Sequence, residues 1–159
     1  MKYERFEQLP VWQAGIELAV EVYAFTAKSC FPNKHSLRDQ IERAVVSISN
    51  NIAEGFERGT NQELAAFLYI ARGSCGEVRS MLCLFERLPA FNGLETNVLS
   101  LKSKAEAISK QLGAWARSIQ NSGMKGERFV TDKTCKTDEA GRQRKAFLEK
   151  LDRIRNEGS

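Results

Sequence analysis

Basic side chains at helical spacing are the feature of this chain best suited to bind another molecule. Arg72 and Arg79 are seven residues apart and therefore share one stripe of a helix. A second stripe further along carries Lys102, Lys110 and Arg117. Such rows can neutralise phosphates of a nucleic acid, although the same pattern is also typical of a plain solvated helix face. We take these five residues as candidate contacts to nucleic acid.

Further basic residues follow near the C-terminus. Residues 121–159 hold 10 Lys and Arg against 7 Asp and Glu, whereas residues 1–120 hold 14 against 13. The net charge of +4 therefore divides into +1 on the longer part and +3 on the shorter one. This mild charge is a weak indication of attraction to nucleic acid and lies well below the charge of a dedicated binding domain. The candidate contacts here are Lys125, Arg128, Arg142, Arg144 and Lys145.

A second constellation is polar. Asn51, Glu54 and Arg58 lie at i, i+3 and i+7 of one helix, so that Glu54 and Arg58 can form an i,i+4 pair. Ser74 and Glu77 share one side of the next helix. We interpret the five residues as a hydrogen-bonded network that fixes how the helices pack. The alternative is a ligand or catalytic site, which would lack a nucleophile, a metal and a second acid.

Glycines interrupt the same part of the chain. Gly73 and Gly76 lie within one predicted helix, where each costs about 1 kcal/mol relative to alanine. Because glycine has no Cβ, we expect another helix to approach closely at this point.

Groups for catalysis or metal binding are scarce. His35 is the only histidine, and the four cysteines form no CxxC pair that would suit zinc. We expect reduced thiols, with Cys75 and Cys83 packed inside a helix; the alternative is an inter-subunit disulfide through Cys30 or Cys135. The sequence therefore predicts no enzyme activity, no metal and no cofactor.

Four long helices are predicted to position these groups. Their approximate ranges are 9–29, 37–59, 61–88 and 94–120. Ser36 is a candidate N-cap for the second helix, and Thr60-x-x-Glu63 is a capping box for the third. Short links between helices of this length favour antiparallel neighbours. The predicted fold is all-α, an up-down-up-down four-helix bundle without strands.

The apolar spacing also predicts which residues face the core. On the first and fourth helices these are Trp12, Ile16, Ala19, Val20, Tyr23 and Ala27, and Leu99, Ile108, Leu112, Trp115, Ala116 and Ile119. Phe67 and Phe85 are further core candidates. Phe25, Phe56 and Tyr69 are either core residues or apolar area that a neighbouring subunit covers.

The C-terminal part breaks the helical pattern. Residues 1–120 form the predicted bundle, and residues 121–159 form a basic arm. Its first half, 121–139, is polar and carries two glycines, as is typical of a linker. A short amphipathic fifth helix is predicted over about 138–156, and an isolated helix of this length would need a surface to dock on.

Composition suggests the compartment. Hydrophobic residues make up 42% and charged residues 28%, and no run reaches the ~18 apolar residues of a membrane span. The N-terminal segment MKYERFEQLP lacks the apolar core of a signal peptide. We therefore expect a cytoplasmic protein that does not enter the membrane.

Several ordered motifs resemble one known family. They include Val11-Trp12, Gln40-Ile41-x-Arg43-Ala44, Asn51-Ile52-Ala53-Glu54-Gly55, Phe67-Leu68 and Ala71-x-Gly73-Ser74. This pattern resembles the four-helix-bundle proteins encoded in intervening sequences of 23S ribosomal RNA genes, also called S23 ribosomal proteins. The resemblance covers roughly residues 3–120.

The resemblance also implies functions. Related bundles include the accessory proteins of diversity-generating retroelements, which assemble as five-membered barrels and bind a reverse transcriptase and nucleic acid. The leading hypothesis is thus a homopentameric, non-enzymatic accessory protein whose partners are RNA or an RNA/DNA hybrid and a reverse transcriptase. One alternative is a protein-interaction scaffold that binds no nucleic acid. The other is an enzyme, and the lack of recognisable catalytic residues argues against it.

Overall fold

The computed structural model describes residues 3–28, 31 and 35–121, which form four long α-helices and no β-strand. Two short 3-10 turns, Phe6–Gln8 and Pro89–Phe91, precede the first and fourth helices. The long helices are α1 (Pro10–Thr26), α2 (His35–Glu57), α3 (Asn61–Phe85) and α4 (Glu95–Asn121). The all-α prediction is therefore confirmed for this part of the chain.

Local sequence explains where the helices begin. Pro10 occupies the first turn of α1, where its missing N–H is not needed. Thr60 Oγ1 accepts a hydrogen bond from the Glu63 backbone N–H at 3.2 Å and donates to Glu63 Oε2 at 2.8 Å, which confirms the capping box of α3. The predicted cap at Ser36 is wrong, because α2 already includes His35 and places Ser36 inside its first turn.

Each helix packs on two others around one core. α1 and α3 both contact α2 and α4. An aromatic cluster joins α1, α3 and the turn before α4, with the rings of Phe85 and Phe91 stacked at 4.5 Å and the rings of Phe25 and Phe31 edge to face at 5.5 Å. Phe25 and Phe56 are both buried, so of the three uncertain aromatics only Tyr69 is exposed.

The predicted inward face of α1 is largely wrong. Ile16, Val20 and Tyr23 are exposed, with Val20 at 65%, whereas the buried residues are Val11, Gly15, Leu18, Ala19, Val22, Phe25 and Thr26. The helix is apolar on nearly all sides, so its periodicity does not distinguish the face that its own bundle covers. We call Ile16, Val20 and Tyr23 the outer stripe of α1. Leu99 on α4 was also predicted to be buried and is 61% exposed.

The predicted role of two glycines is also wrong. Apart from the adjoining backbone of α3 itself, no atom of the described residues lies within 4 Å of a Cβ added to Gly73 or Gly76, so both positions face open space. The close approach occurs at Gly55, where an added Cβ would lie 2.6 Å from Phe67 Cβ. Sequence spacing marks a glycine within a helix, but not which side of that helix meets a neighbour.

Cys75 on α3 is fully buried, and burial raises the pKa of its thiol to about 12. We expect a thiol reagent at neutral pH to modify the partly exposed Cys83 while leaving Cys75 unmodified until the protein unfolds. Peptide mass spectrometry after labelling in buffer and in denaturant measures this difference. Equal labelling of Cys75 in both conditions would contradict its position in the core.

Some predictions lie outside the described residues. They concern the linker, the fifth helix, the five C-terminal basic residues, Cys30 and Cys135. Within the described helices, none combines the length and apolar composition needed to cross a bilayer.

Candidate nucleic-acid interface

The five basic residues predicted on α3 and α4 lie along one groove between these helices. We call Arg72, Arg79, Lys102, Lys110 and Arg117 the basic seam. Ion pairs across the groove place the two predicted stripes side by side. Lys102 on α4 pairs with Glu86 directly after the end of α3, and Arg79 on α3 pairs with Glu106 in the middle of α4. The spacing along each helix was visible in the sequence, but their juxtaposition follows from the fold.

Three of the seam cations have carboxylate partners. Lys102 Nζ lies 2.8 Å from Glu86 Oε1, and Glu106 lies 2.8 Å from Lys110 Nζ and 4.0 Å from Arg79 Nη2. The hydrogen bond with Glu86 raises the pKa of Lys102, and the hydrogen bond from Lys110 lowers the pKa of Glu106. Because such exposed pairs contribute at most about 1 kcal/mol, a phosphate can compete for these cations.

The other two cations converge over a glycine. A Cβ added to Gly113 would lie 3.4 Å from Arg117 Nη1 and 3.4 Å from Arg72 Cζ and Nε. Both guanidinium groups therefore lie against the same point of the α4 backbone, and Gly113 is buried beneath them. In the part of the chain that the structure describes, neither arginine forms an ion pair with an acidic side chain.

A polar contact continues the seam beyond the two arginines. Tyr69 lies one turn before Arg72 on α3, and Gln120 lies one turn after Arg117 on α4. The Tyr69 hydroxyl donates a hydrogen bond to Gln120 Oε1 at 3.1 Å. Tyr69 is 38% exposed. Sequence reasoning missed Gly113 and Gln120; the only available signal was a glycine inside a predicted helix.

Charge is unevenly distributed over the bundle. The seam holds five cations and, with Glu86 and Glu106, two carboxylates, which leaves an excess of three positive charges. Residues 1–120 carry only +1 in total, so the rest of this part is net negative. A positive groove on an otherwise acidic body orients a polyanion toward that groove.

The residues predicted as a polar network lie mainly between α2 and α3. Asn51 Nδ2 donates to the Ser47 backbone oxygen at 2.7 Å and to Ser47 Oγ at 2.9 Å. Ser47 Oγ lies 2.9 Å from Ser74 Oγ, and Ser74 also donates to the Ile70 backbone oxygen. These contacts join α2 to α3 through partly buried hydroxyl groups.

The remaining network residues make separate contacts nearer the surface. Arg58 Nη2 lies 2.8 Å from Glu54 Oε1, and the Arg58 guanidinium lies 5.2 Å from the centre of the Phe67 ring. Gln40 Nε2 donates to Glu77 Oε1 at 3.3 Å. These contacts position charges rather than a nucleophile with its base.

A polar groove of ≈ 390 Å³ runs along α2 beside the outer stripe of α1. Its lining includes Tyr23, Arg43, Asn50 and Glu54. His35, the single histidine, is exposed at the start of α2 and is absent from this lining. Among residues 3–28, 31 and 35–121, no group of three or more His, Cys, Asp or Glu side chains could hold a metal ion.

Comparisons with known proteins place this fold. The family model described as 23S rRNA-intervening sequence protein matches residues 7–114, well over half of the chain. A crystal structure of a protein of unknown function from the S23 ribosomal protein family of Bacteroides thetaiotaomicron VPI-5482 matches with a TM-score of 0.60 and 22% identity, covering 67% of this chain and 98% of that one. This structural likeness shows a shared fold. None of the curated proteins matches the chain.

Proposed function

We propose that this chain, which belongs to the 23S rRNA-intervening sequence protein family, is a non-enzymatic accessory protein that binds nucleic acid as a homo-oligomer. The observation that carries this proposal is the basic seam, which concentrates an excess of three positive charges in one groove of an otherwise acidic bundle. The contacts would be made to phosphates, so we expect recognition of charge and shape with little reading of base sequence.

Assembly is the second part of the proposal. The outer stripe of α1 leaves three apolar side chains exposed on one helix face. On α3, the exposed side chains of Ile70 and Leu84 flank the open backbone at Gly73; we call these three residues the outer face of α3. We propose that the stripe of one copy packs on the outer face of the next, because projecting side chains fit a surface without a Cβ.

Two different surfaces in contact form a heterologous interface, which generates a ring when the rotation closes. The retroelement accessory proteins that the sequence resembles supply the proposed number of five. A ring repeats the seam in every copy, so several weak phosphate contacts act together on one polyanion. The C-terminal basic arm would be repeated in the same way.

A reverse transcriptase is the proposed protein partner, and an RNA or RNA/DNA hybrid the proposed nucleic acid. The proposal includes an up-down-up-down arrangement of the four helices in a cytoplasmic protein. Two contacts support the antiparallel arrangement of α2 and α3. Gln40 in the first part of α2 contacts Glu77 in the second half of α3, and Gly55 near the end of α2 contacts Phe67 in the first half of α3. A gene next to a reverse transcriptase and a variable repeat would support the retroelement role.

The second candidate function is a protein-interaction scaffold of the intervening-sequence type with no direct role in nucleic-acid binding. The polar groove along α2 favours it, because Arg43, Asn50 and Glu54 offer both charges and an amide to a partner surface. Binding of structured RNA at low salt would favour the first function, and its absence would favour the scaffold.

Charge reversal in the seam tests the proposed function. We expect a variant with Arg72, Arg79, Lys110 and Arg117 changed to Glu to lose RNA binding at least 100-fold at low salt. Filter binding between low and high salt measures the affinity, and circular dichroism on heating checks the fold. Each surface substitution should alter stability by only about 0.5 kcal/mol, so a loss of RNA binding would not result from unfolding. Unchanged RNA binding would contradict the proposal.

A further inference from the structure

We propose that the end of the basic seam is a binding site for one nucleotide unit of a single strand. Arg72 and Arg117 hold its phosphodiester over Gly113, and the Tyr69 ring stacks on the adjacent base. This inference rests on the proposed function, because it names the class of nucleic acid that the seam would take. It assigns to Arg72, Arg117 and Tyr69 one shared site, which spacing along a single helix does not indicate because these side chains come together only in the fold.

Arg72 and Arg117 together form a concentrated positive charge. Two guanidinium groups lie against one point over Gly113, and like charges so placed repel each other. An anion between them removes this repulsion and accepts hydrogen bonds from both planar groups. Elsewhere in the seam Glu106 and Glu86 already supply such an anion. Among the described residues no acidic side chain pairs with Arg72 or Arg117, so their site over Gly113 is the position where an external phosphate gains most.

Two glycines leave the site accessible to a strand. Gly113 removes the Cβ that would lie between the two guanidinium groups, so both can lie against the helix backbone. Gly76 lies four residues after Arg72 and three before Arg79, on the same side of α3. Nothing in the described residues lies within 4 Å of a Cβ added there, which leaves room for a strand to run along the seam.

The ring of Tyr69 lies next to the two arginines. The hydrogen bond from Tyr69 to Gln120 Oε1 holds the ring at the seam while more than a third of the residue stays exposed. A ring held one helical turn from a phosphate site can stack on an unpaired base. In a duplex the bases are stacked on one another, so this contact favours a single strand.

The test measures binding of the full-length protein to a fluorescent RNA oligonucleotide, offered as a single strand and as a duplex, over a salt series. We expect Arg72→Gln and Arg117→Gln each to weaken single-strand binding about tenfold and to lower the salt slope by about one. Tyr69→Leu should weaken single-strand binding about tenfold with little effect on the duplex, while Tyr69→Phe, which keeps the stacking ring and loses only its hydrogen bond to Gln120, should have a smaller effect. Lys104→Gln is the control, because it removes one charge from the side of α4 that faces Glu21 on α1.

A space-filling variant tests the site without changing charge. Gly76→Leu has open space in the folded chain and replaces a glycine inside a helix, so the protein should be at least as stable as the original while single-strand binding falls. Inorganic phosphate at matched ionic strength distinguishes the two sources of phosphate. Persistent RNA binding supports a polynucleotide site, whereas full displacement by phosphate would identify a site for the free anion and overturn the assignment.

Two failures have different meanings. If the four-residue charge reversal abolishes binding but Arg72→Gln, Arg117→Gln and Tyr69→Leu behave like Lys104→Gln, the nucleotide site is wrong and the proposed function stands. If the original protein binds neither strand form at low salt, both are wrong. Equal loss of single-strand and duplex binding in Tyr69→Leu would overturn the stacking role of the ring.

Discussion

Gly55→Ala should destabilise the protein by about 3 kcal/mol, since overpacking of a close helix contact typically costs 1–3 kcal/mol and here the clash is direct. The new Cβ would lie 2.6 Å from Phe67 Cβ, and 3.3 Å from Leu64 Cδ1. Phe67 Cβ is fixed to the α3 backbone and cannot rotate away, so α2 and α3 must separate. Thermal unfolding followed by circular dichroism should show a large fall in the midpoint.

Gly15→Ala is the matched control. An added Cβ there would lie 3.5 Å from Ile48 Cγ2, an ordinary van der Waals contact, so the substitution should stabilise α1 by about 1 kcal/mol through helix propensity. The two variants make the same chemical change with opposite expected signs. A Gly55→Ala protein as stable as the original would show that α2 and α3 are further apart than described here.

Val20→Asp should convert the proposed assembly into single chains. Val20 is 65% exposed in the folded chain, so a carboxylate there should alter the stability of one copy by only about 0.5 kcal/mol. In the assembly the same carboxylate would be buried against the outer face of the next α3 without a partner, which costs several kcal/mol at every interface. Light scattering coupled to size-exclusion chromatography measures the loss of mass.

Leu99→Asp is the control for this prediction, because Leu99 is 61% exposed and lies on α4 outside the proposed interface. We expect it to leave the mass unchanged. Gly73→Leu tests the opposite surface: it should fold normally, since its position is open, and fail to assemble. If Val20→Asp keeps the mass of the original protein, the proposed interface is wrong.

Local features were the most predictable part of the fold. The bounds of α4 and the cap at Thr60 follow from rules that involve only neighbours in sequence, and the structure agrees with both. The faces of α1 were not predictable in this way, because Ile16 and Val20 are as apolar as Leu18 and Val22 and only packing decides which pair is buried.

The candidate site shows the same division. Periodicity identified the cations of α3 and α4 as two separate stripes, since spacing along one helix depends on that helix alone. The alignment that sets Arg72 opposite Arg117 depends on how α3 packs on α4, and Gly113 acquires its importance only from that alignment. Glu106 pairs with Lys110 on its own helix and with Arg79 across the groove, so it offsets part of the positive charge of the two stripes.

The most direct test of the account is the mass of the purified protein in solution, measured by light scattering at moderate salt with and without a single-stranded RNA. The account predicts a particle of about five times 17.9 kDa that takes up the RNA and releases it as salt rises. A 17.9 kDa species that leaves the RNA unbound at low salt would contradict both the assembly and the role of the basic seam.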